Sequence, residues 1–144
     1  ILAEAEAEVH GETLETVHFH EVGRPQAVIN MVGIAAAFRF LNPEKVYCSK
    51  VIDGCGTVQC AHGEIQVPVP AVRVLMKRST LDYGQCEKPM ELVTPTGLAA
   101  LLAMDPYFME TLPEEIRIIA KAECIGNRQS ETVGEQKGLL IFSF

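Results

Sequence analysis

The sequence contains no tryptophan, no CxxC pair and no even set of cysteines. Its five cysteines therefore do not form the paired framework of a disulfide-rich secreted domain. The longest apolar stretch, at residues 28–40, is interrupted by Asn30 and Arg39 and is too short to span a bilayer. No signal sequence precedes it. These absences favour reduced thiols in the cytoplasm and argue against a membrane partner.

Basic residues are also scarce, since 12 Lys and Arg stand against 19 Asp and Glu. The net charge of −7 at pH 7 argues against a nucleic-acid partner, because a polyanion is repelled by an acidic surface. With 144 residues, 48% of them hydrophobic and 22% charged, the chain has the composition of an ordered domain with a filled core. A protein this acidic needs a local pocket of basic or amide groups to bind a nucleotide.

The chain begins inside a helical pattern. Residues 1–9 are rich in Ala and Glu, no capping residue precedes them, and Gly11 marks the end of the helix. His10 then stands at the negative end of the helix dipole. Because domains rarely begin in mid-helix, we expect the chain to be an internal fragment of a larger protein.

Helical and strand-like segments alternate along the remainder. Helices are predicted at 26–41, 71–78 and 98–104, and strands at 45–52, 57–60, 116–124 and 138–144. The helix at 26–41 is apolar nearly all round and should be buried. Residues 82–84 are predicted to form a loop. The mixed order predicts an α/β or α+β fold: one domain over 1–144, with a mixed sheet and buried and flanking helices.

Two histidines form the first candidate metal site. In an extended segment His18 and His20 point to one side, while Phe19 packs into the core. On a helix their imidazoles would diverge by about 200° and could not share one ion. Two imidazoles on one face suit zinc, nickel or copper, and Glu21 could orient an imidazole or move a proton. The alternative is a polar strand end with surface histidines.

Cys60 and His62 form a second pair of candidate ligands. They would likewise face one way and offer a soft sulfur together with a nitrogen. The alternative is a small buried thiol beside a histidine in a turn. All four histidines lie within the first 62 residues, which favours a shared location.

Thr94-Pro95-Thr96-Gly97 is a candidate anion site at the start of a predicted helix. Two hydroxyls flank a fixed proline, and the backbone N–H groups at a helix start can hold a phosphate or carboxylate. The alternative is that Thr94 or Thr96 only caps the helix, although the same atoms can serve both purposes.

Four motifs, in order and at fitting distances, resemble a known family. They are His18-Phe19-His20-Glu21-Val22-Gly23, Gly54-Cys55-Gly56-Thr57-Val58 with Cys60-Ala61-His62-Gly63, Val67-Pro68-Val69-Pro70-Ala71, and Glu91-Leu92-Val93-Thr94-Pro95-Thr96-Gly97. This series resembles the nickel-insertion proteins that mature the nickel-pincer nucleotide cofactor of lactate racemase. The resemblance covers residues 1–103 and is weaker over 104–144.

The resemblance implies a cytoplasmic nickel chelatase of the lyase class, which uses CTP to place nickel in a pyridinium-3,5-bisthiocarboxylic acid mononucleotide. It implies nickel, with CTP and a divalent cation (Mg²⁺ or Mn²⁺) in the full-length protein, and it leaves a homo-oligomer open. By analogy, the assigned residues are His18, His20 and His62 for nickel, Glu21 for catalysis, and Thr94 and Thr96 for the cofactor phosphate.

The sequence departs from the family at two positions. After the first motif the family usually carries two aspartates four residues apart, and here Gln26 and Asn30 replace them. Two ligands for hard cations are thereby lost, so the resemblance does not support a magnesium or manganese site at this position. The family's N-terminal segment and its CTP-binding C-terminal domain are expected outside this chain, which is then expected to be inactive alone.

Two other functions are consistent with the residues. One is a zinc-dependent hydrolase with His18, His20 and His62 as ligands and Glu21 as base. The other is a non-catalytic structural or oligomerising module that kept the fold after the loss of the two carboxylates. Failure to bind any metal or nucleotide while folding well would favour the module.

Overall fold

The protein forms two compact units, Ile1–Glu110 and Thr111–Phe144. The structure, a computed structural model, describes residues 1–19, 25–60, 63–111, 117–125 and 137–143. Within these ranges helices and short strands are mixed along the chain, which confirms the predicted α/β class. In the described residues no helix is long and apolar enough to cross a membrane.

The first unit contains all the described helices. These are α1 (Leu2–His10), α2 (Pro25–Leu41), α3 (Pro70–Lys77) and α4 (Pro95–Ala103). Its strands are β1 (Tyr47–Cys48), β2 (Val51–Asp53), β3 (Thr57–Cys60), β4 (Gly63–Gln66), β5 (Tyr83–Gln85) and β6 (Tyr107–Phe108). Strand β1 pairs with β6 and β2 with β5, both in parallel, while β3 and β4 form an antiparallel hairpin. The expected mixed sheet is thus divided into separate strand pairs in the described part of the unit.

The second unit contains one antiparallel pair, β7 (Ile118–Ile125) and β8 (Lys137–Ser143). Its register runs from Ile118 opposite Ser143 to Ile125 opposite Lys137, with an irregularity between Ile118 and Ala120. Both strands were predicted from sequence, with slightly different ends.

The core of the first unit lies where α1, α3 and α4 meet. Its buried residues are Leu2, Ala5, Val69, Val72, Leu75, Leu98 and Ala99. In α3, Val72 and Leu75 are three residues apart and so point to one side of the helix. Burying a side chain of this size stabilises the fold by about 1.5–3 kcal/mol. The small residues of α1, such as the fully buried Ala5, let the helices approach closely.

Helix α1 ends at Gly11, as predicted. Gly11 adopts a left-handed conformation with φ 67° and ψ 30°, and Glu12 donates its N–H to the Ala7 carbonyl oxygen at 2.9 Å. Glu8 in the last turn also forms an ion pair with Arg78, which follows α3. Both side chains are about half exposed, so this pair adds little stability compared with the core.

Helix α2 corrects the prediction that this segment is buried. None of its residues is buried, and Ile29, Val32 and Phe40 are 64%, 63% and 88% exposed. One side of α2 packs against α4, through half-buried residues that include Met31 and Phe38. An apolar composition indicates that a helix can be buried, but a neighbouring element must also cover it. No described element covers the other side of α2.

Strand β5 corrects the predicted loop at residues 82–84. It pairs in parallel with β2, so that Ile52 lies opposite Gly84 and Asp53 opposite Gln85. The predicted strand at 45–52 is likewise divided into β1 and β2. Both differences arise because these strands pair with segments distant in the chain, β1 with β6 and β2 with β5. In β5 this pairing overrides the weak strand propensity of Gly84.

Candidate functional site

Asp53 ends β2 and joins it to the segment before α4. Its side chain is buried, with 2% exposure. The Oδ1 atom accepts the backbone N–H groups of Gly54 at 2.8 Å, Leu92 at 2.8 Å and Val93 at 3.0 Å. The Oδ2 atom is also buried, and no donor in the described ranges reaches it. A single carboxylate thus connects residues about forty positions apart in the chain.

The Gly-Cys-Gly turn after β2 lies directly against residues 88–90. A Cβ atom on Gly54 would be 1.9 Å from the Met90 carbonyl oxygen and 2.6 Å from that of Lys88. Cys55 donates its backbone N–H to the Lys88 carbonyl oxygen at 2.8 Å. Any side chain at Gly54 would therefore displace backbone.

The Val-Pro-Val-Pro motif contacts the same turn. Val67 donates its N–H to the Gly56 carbonyl oxygen at 2.9 Å. The Nε2 atom of Gln85 donates to the carbonyl oxygens of Gly54 at 2.9 Å and Val67 at 3.3 Å. The Val67–Pro68 peptide bond is cis. The structure therefore brings together three of the four motifs that were recognised from sequence.

Thr94 caps α4, as the capping alternative predicted. Its backbone is extended, with φ −85° and ψ 151°, and its Oγ1 atom accepts the Gly97 N–H at 3.1 Å. Pro95 is the first helical residue and has no N–H to offer. The donors left for a ligand are the Thr96 N–H and the hydroxyls of Thr94 and Thr96, because a hydroxyl that accepts one bond can still donate its proton. The role of both threonines in phosphate binding stays a prediction.

His18 follows α1 in a segment without regular structure, and its side chain is exposed. Phe19 is 42% exposed, so the prediction that it packs into the core is wrong. Residues 17–19 form no strand, and the alternation that sends every second side chain inward does not apply to them. His20 and Glu21 lie outside the described residues, and a shared metal-binding face stays a prediction.

Cys60 is the last residue of β3, opposite Gly63 of β4, and is half-buried. His62, its predicted companion, lies outside the described residues. In the ranges that the structure covers, no three His, Cys, Asp or Glu side chains are close enough to hold a metal ion. Because His20, Glu21 and His62 all lie outside those ranges, the predicted nickel site is not tested by this observation.

Gln26 and Asn30 occupy the first two turns of α2, where the family usually carries aspartates. The Nε2 atom of Gln26 donates to the Oδ1 atom of Asn30 at 2.9 Å, and both side chains are exposed. Two neutral amides bonded to each other form a weak ligand pair for a hard cation. Whether a magnesium or manganese ion binds at this position stays untested by the amide pair.

Cys48 in β1 and Tyr83 in β5 both have a pKa raised by burial. Burial raises the pKa of the Cys48 thiol above its ordinary value. Burial also raises the pKa of Tyr83, and the nearby Cys48 adds to this effect, while a hydrogen bond to Ser79 opposes it. The Tyr83 hydroxyl lies 3.0 Å from the Ser79 hydroxyl oxygen. Burial thus disfavours the charged forms of both groups.

Asp53 is the residue of this region that sequence reasoning missed as a separate candidate. One signal was present, since Asp53 directly follows the apolar end of a strand and precedes a glycine. That pattern is also typical of any turn, so the three N–H contacts could be found only from the fold.

The comparison with known proteins agrees with the motif series. The sequence profile described as nickel insertion protein matches residues 1–136. The chain belongs to this family. The resemblance drawn from the four motifs is therefore confirmed, and the match extends beyond residue 103. No solved structure matches the chain.

Curated relatives from several organisms support the same family. A relative from Methanosarcina barkeri, named for nickel insertion, is 45% identical over 114 residues, which are 78% of this chain and 28% of the relative. One from Enterococcus faecalis is 44% identical over 121 residues, 83% of this chain and 36% of the relative. A third, from Acetivibrio thermocellus, is named pyridinium-3,5-bisthiocarboxylic acid mononucleotide nickel insertion protein and is 38% identical over 129 residues, 90% of this chain and 31% of the relative. The chain thus spans 28–36% of the length of these three relatives.

Proposed function

We propose that this chain takes part in the insertion of nickel into a pyridinium-3,5-bisthiocarboxylic acid mononucleotide. Membership of the nickel insertion family supports the reaction, and the name of the Acetivibrio thermocellus relative supplies the substrate. The observation that carries the proposal is the convergence of three family motifs around Asp53 and Gly54, next to the capped start of α4.

The start of α4 suits the phosphate group of the mononucleotide. The helix dipole places partial positive charge there, and backbone and hydroxyl donors can point at phosphate oxygens. Thr94 and Thr96 supply two hydroxyls, and Thr96 supplies a backbone N–H. Such neutral donors are what a chain with a net charge of −7 needs in order to hold an anion.

Nickel is the cargo of this reaction, and His18, His20 and His62 are its proposed carriers. Imidazole nitrogen binds Ni²⁺, and the sulfur atoms of the two thiocarboxylates replace it when the metal is transferred. Transfer needs accessible and exchangeable ligands, and the exposure of His18 meets this requirement. Glu21 orients an imidazole or takes up a proton released by metal binding.

Dependence on CTP and on a divalent cation, the lyase class and a cytoplasmic location belong to the same proposal. They rest on the resemblance of the motifs rather than on contacts within this chain. Since the chain spans 28–36% of three relatives' lengths, the complete reaction is assigned to the longer protein. The isolated chain is expected to bind nickel and the mononucleotide without completing the CTP-dependent step.

A non-catalytic module is the second candidate. The exposed amide pair of Gln26 and Asn30 favours it, because these side chains bond each other and offer no carboxylate to a cation. In this case the fold persists as a structural or oligomerising part, and the histidines are ordinary surface residues.

Calorimetric titration of the metal-free 144-residue chain with nickel chloride distinguishes the two candidates. Nickel insertion predicts a Kd of about 1 μM or lower, with binding lost in a His18→Ala/His20→Ala double variant. His10→Ala is the matched control, because His10 belongs to none of the four motifs. It is the last residue of α1, and its Nε2 atom lies 3.7 Å from the Oε2 atom of Glu6. The nickel affinity of this variant is expected to equal that of the wild type.

The other outcomes each count against the first candidate. Equal nickel binding by the wild type and the double variant would remove His18 and His20 from the nickel role. Absence of binding in a chain with normal circular dichroism would favour the non-catalytic module. An equal loss in the His10→Ala control would show that the histidines bind nickel without a specific site.

A further inference from the structure

The carboxylate of Asp53 is held asymmetrically. Its Oδ1 atom accepts three backbone N–H groups within 2.8–3.0 Å, while its buried Oδ2 atom has no partner among the described residues. Burial of a charged group is costly, and an oxygen left without a hydrogen bond adds to that cost. Such exceptions are few in folded proteins, and each calls for an explanation.

The three donors show what Asp53 holds in place. One belongs to Gly54, in the turn directly after β2, and two belong to Leu92 and Val93, directly before Thr94. Residues 91–93 belong to no helix or strand, so sheet and helix bonds do not fix their peptide planes. Asp53 supplies that fixation from the end of β2.

The fixed segment leads straight into the cap of α4. After Val93 the chain enters Thr94, whose Oγ1 atom meets the Gly97 N–H at 3.1 Å. On the other side of the turn, the absence of a Cβ atom on Gly54 lets the carbonyl oxygen of Met90 approach closely. The segment 90–93 is therefore held at two points. Met90 lies against the backbone of Gly54, and Leu92 and Val93 are bonded to the Oδ1 atom of Asp53.

We propose that Asp53 is a positioning residue for the phosphate group of the mononucleotide. It holds residues 91–94 so that the hydroxyls of Thr94 and Thr96 and the Thr96 N–H converge on the phosphate oxygens. The inference rests on the proposed function for the identity of the ligand. Asp53 does not itself bind the phosphate, since two negative groups repel, and it acts through Leu92 and Val93.

The test measures binding of pyridinium-3,5-bisthiocarboxylic acid mononucleotide to the 144-residue chain by calorimetry. Asp53→Ala removes the acceptor, and its Kd is expected to rise by about tenfold or more, because a small misplacement of positioned donors is costly. Asp53→Asn keeps an oxygen that can accept the same three N–H groups, and its Kd is expected to stay within about threefold of wild type. Asp82→Ala is the matched control, since Asp82 is an exposed aspartate paired with Lys50 at 3.1 Å.

Circular dichroism first establishes that each variant is folded. If Asp53→Ala does not fold, Asp53→Ser replaces it, because its shorter side chain also withdraws the carboxylate from Leu92 and Val93. Wild-type affinity in the folded Ala or Ser variant would overturn the inference. So would an equal loss of affinity in Asp53→Asn, since the preserved acceptor is predicted to rescue binding.

Failure of the proposed function has a different result. If the wild type does not bind the mononucleotide, the phosphate role of α4 is wrong, whatever the variants do. Amide hydrogen exchange then decides the positioning role alone. Exchange at Leu92, Val93 and Gly97 is expected to accelerate in Asp53→Ala and not in Asp53→Asn, and equal rates in all three proteins would overturn it.

Discussion

The side-chain amide of Gln26 donates a hydrogen bond to the Oδ1 atom of Asn30 at 2.9 Å, across one turn of α2. This exposed pair contributes about 0.2–0.5 kcal/mol to the helix. In the motif series these two positions usually carry aspartates, which would repel each other unless a cation lay between them. The amide pair therefore avoids this repulsion without a cation.

Introducing both carboxylates should make the stability depend on a divalent cation. Gln26→Asp/Asn30→Asp is expected to lower the stability by about 0.4–1 kcal/mol at low salt, because the amide hydrogen bond is lost and like charges four residues apart repel on a helix. Added Mn²⁺ should reverse this loss, and so should a pH below about 4, where the carboxylates are protonated. Thermal unfolding measures both effects. A Gln26→Ser/Asn30→Ser control that responds equally to Mn²⁺ would contradict binding at this position.

The Gly-Cys-Gly turn should not tolerate a side chain at its first glycine. Gly54→Ala places a Cβ atom 1.9 Å from the Met90 carbonyl oxygen. We expect a loss of about 3 kcal/mol or more, because the contact is with backbone and cannot relax by rotation of a side chain. Urea unfolding at pH 7 measures the change.

Gly33→Ala is the matched control for this substitution. Gly33 lies inside α2, and an added Cβ atom would meet nothing within 4 Å. The change is expected to stabilise the helix by about 0.5–1 kcal/mol, because alanine loses less backbone entropy than glycine on folding. Similar effects of the two substitutions would mean that the close approach at Gly54 does not exist in solution.

Removal of the α4 cap should have a moderate effect on stability. Thr94→Ala is expected to cost about 1 kcal/mol, because the Gly97 N–H loses its acceptor. Thr94→Ser keeps a hydroxyl and should lose much less. Chemical denaturation of both variants measures the difference, and a Ser variant as unstable as the Ala variant would argue against capping by the hydroxyl.

Stability should fall as the solution becomes alkaline. Burial raises the pKa of both Cys48 and Tyr83, so the folded state prefers their neutral forms. The stability gained from the thiol is complete below its unfolded-state pKa of about 8.5, and that from the phenol below about 10. Each contribution is lost as the pH rises through the higher pKa of the folded state.

The denaturation midpoint measured between pH 7 and strongly alkaline pH tests this dependence. Cys48→Ala is expected to flatten the fall that begins near pH 8.5, and Tyr83→Phe the fall that begins near pH 10. The Tyr83 variant also loses the bond to Ser79, so its midpoint should be lower at every pH. A pH profile identical in the wild type and both variants would assign the fall to other groups.

Local sequence signals were sufficient to predict those helices and strands for which the hydrophobic periodicity and the end residues indicate the same element. Gly11 gave the end of α1, and Thr94 gave the cap of α4. The hairpin strand β3 was predicted with its observed limits, Thr57–Cys60. In each case the residues that determine the structure are neighbours in the chain.

Long-range contacts account for the parts that could not be predicted. Strand β5 exists because β2 pairs with it, and its own sequence contains the weak strand former Gly84. The exposure of α2 depends on which elements cover it, which composition does not reveal. Asp53 acquires its contacts from residues 92 and 93, and no local pattern connects these positions.

The candidate site, too, could be predicted only in part from the sequence. The motif series identified the family and directed attention to the capped start of α4. It assigned nickel to His18, His20 and His62, of which the structure describes His18 alone. The order of the motifs identifies the family. The distances between the side chains of these motifs depend on the fold and cannot be read from the order.

The packing of α2 on one side only has a consequence for local unfolding of the first unit. Helix α2 reaches the core cluster through half-buried Met31, whereas the buried members lie in α1, α3 and α4 and at Val69, the residue before α3. We therefore expect α2 to detach locally while the core stays packed, since the free energy of such local opening is smaller than that of global unfolding. A protease that cuts beside Arg39 should therefore cleave the native protein there at a rate nearly independent of its global stability.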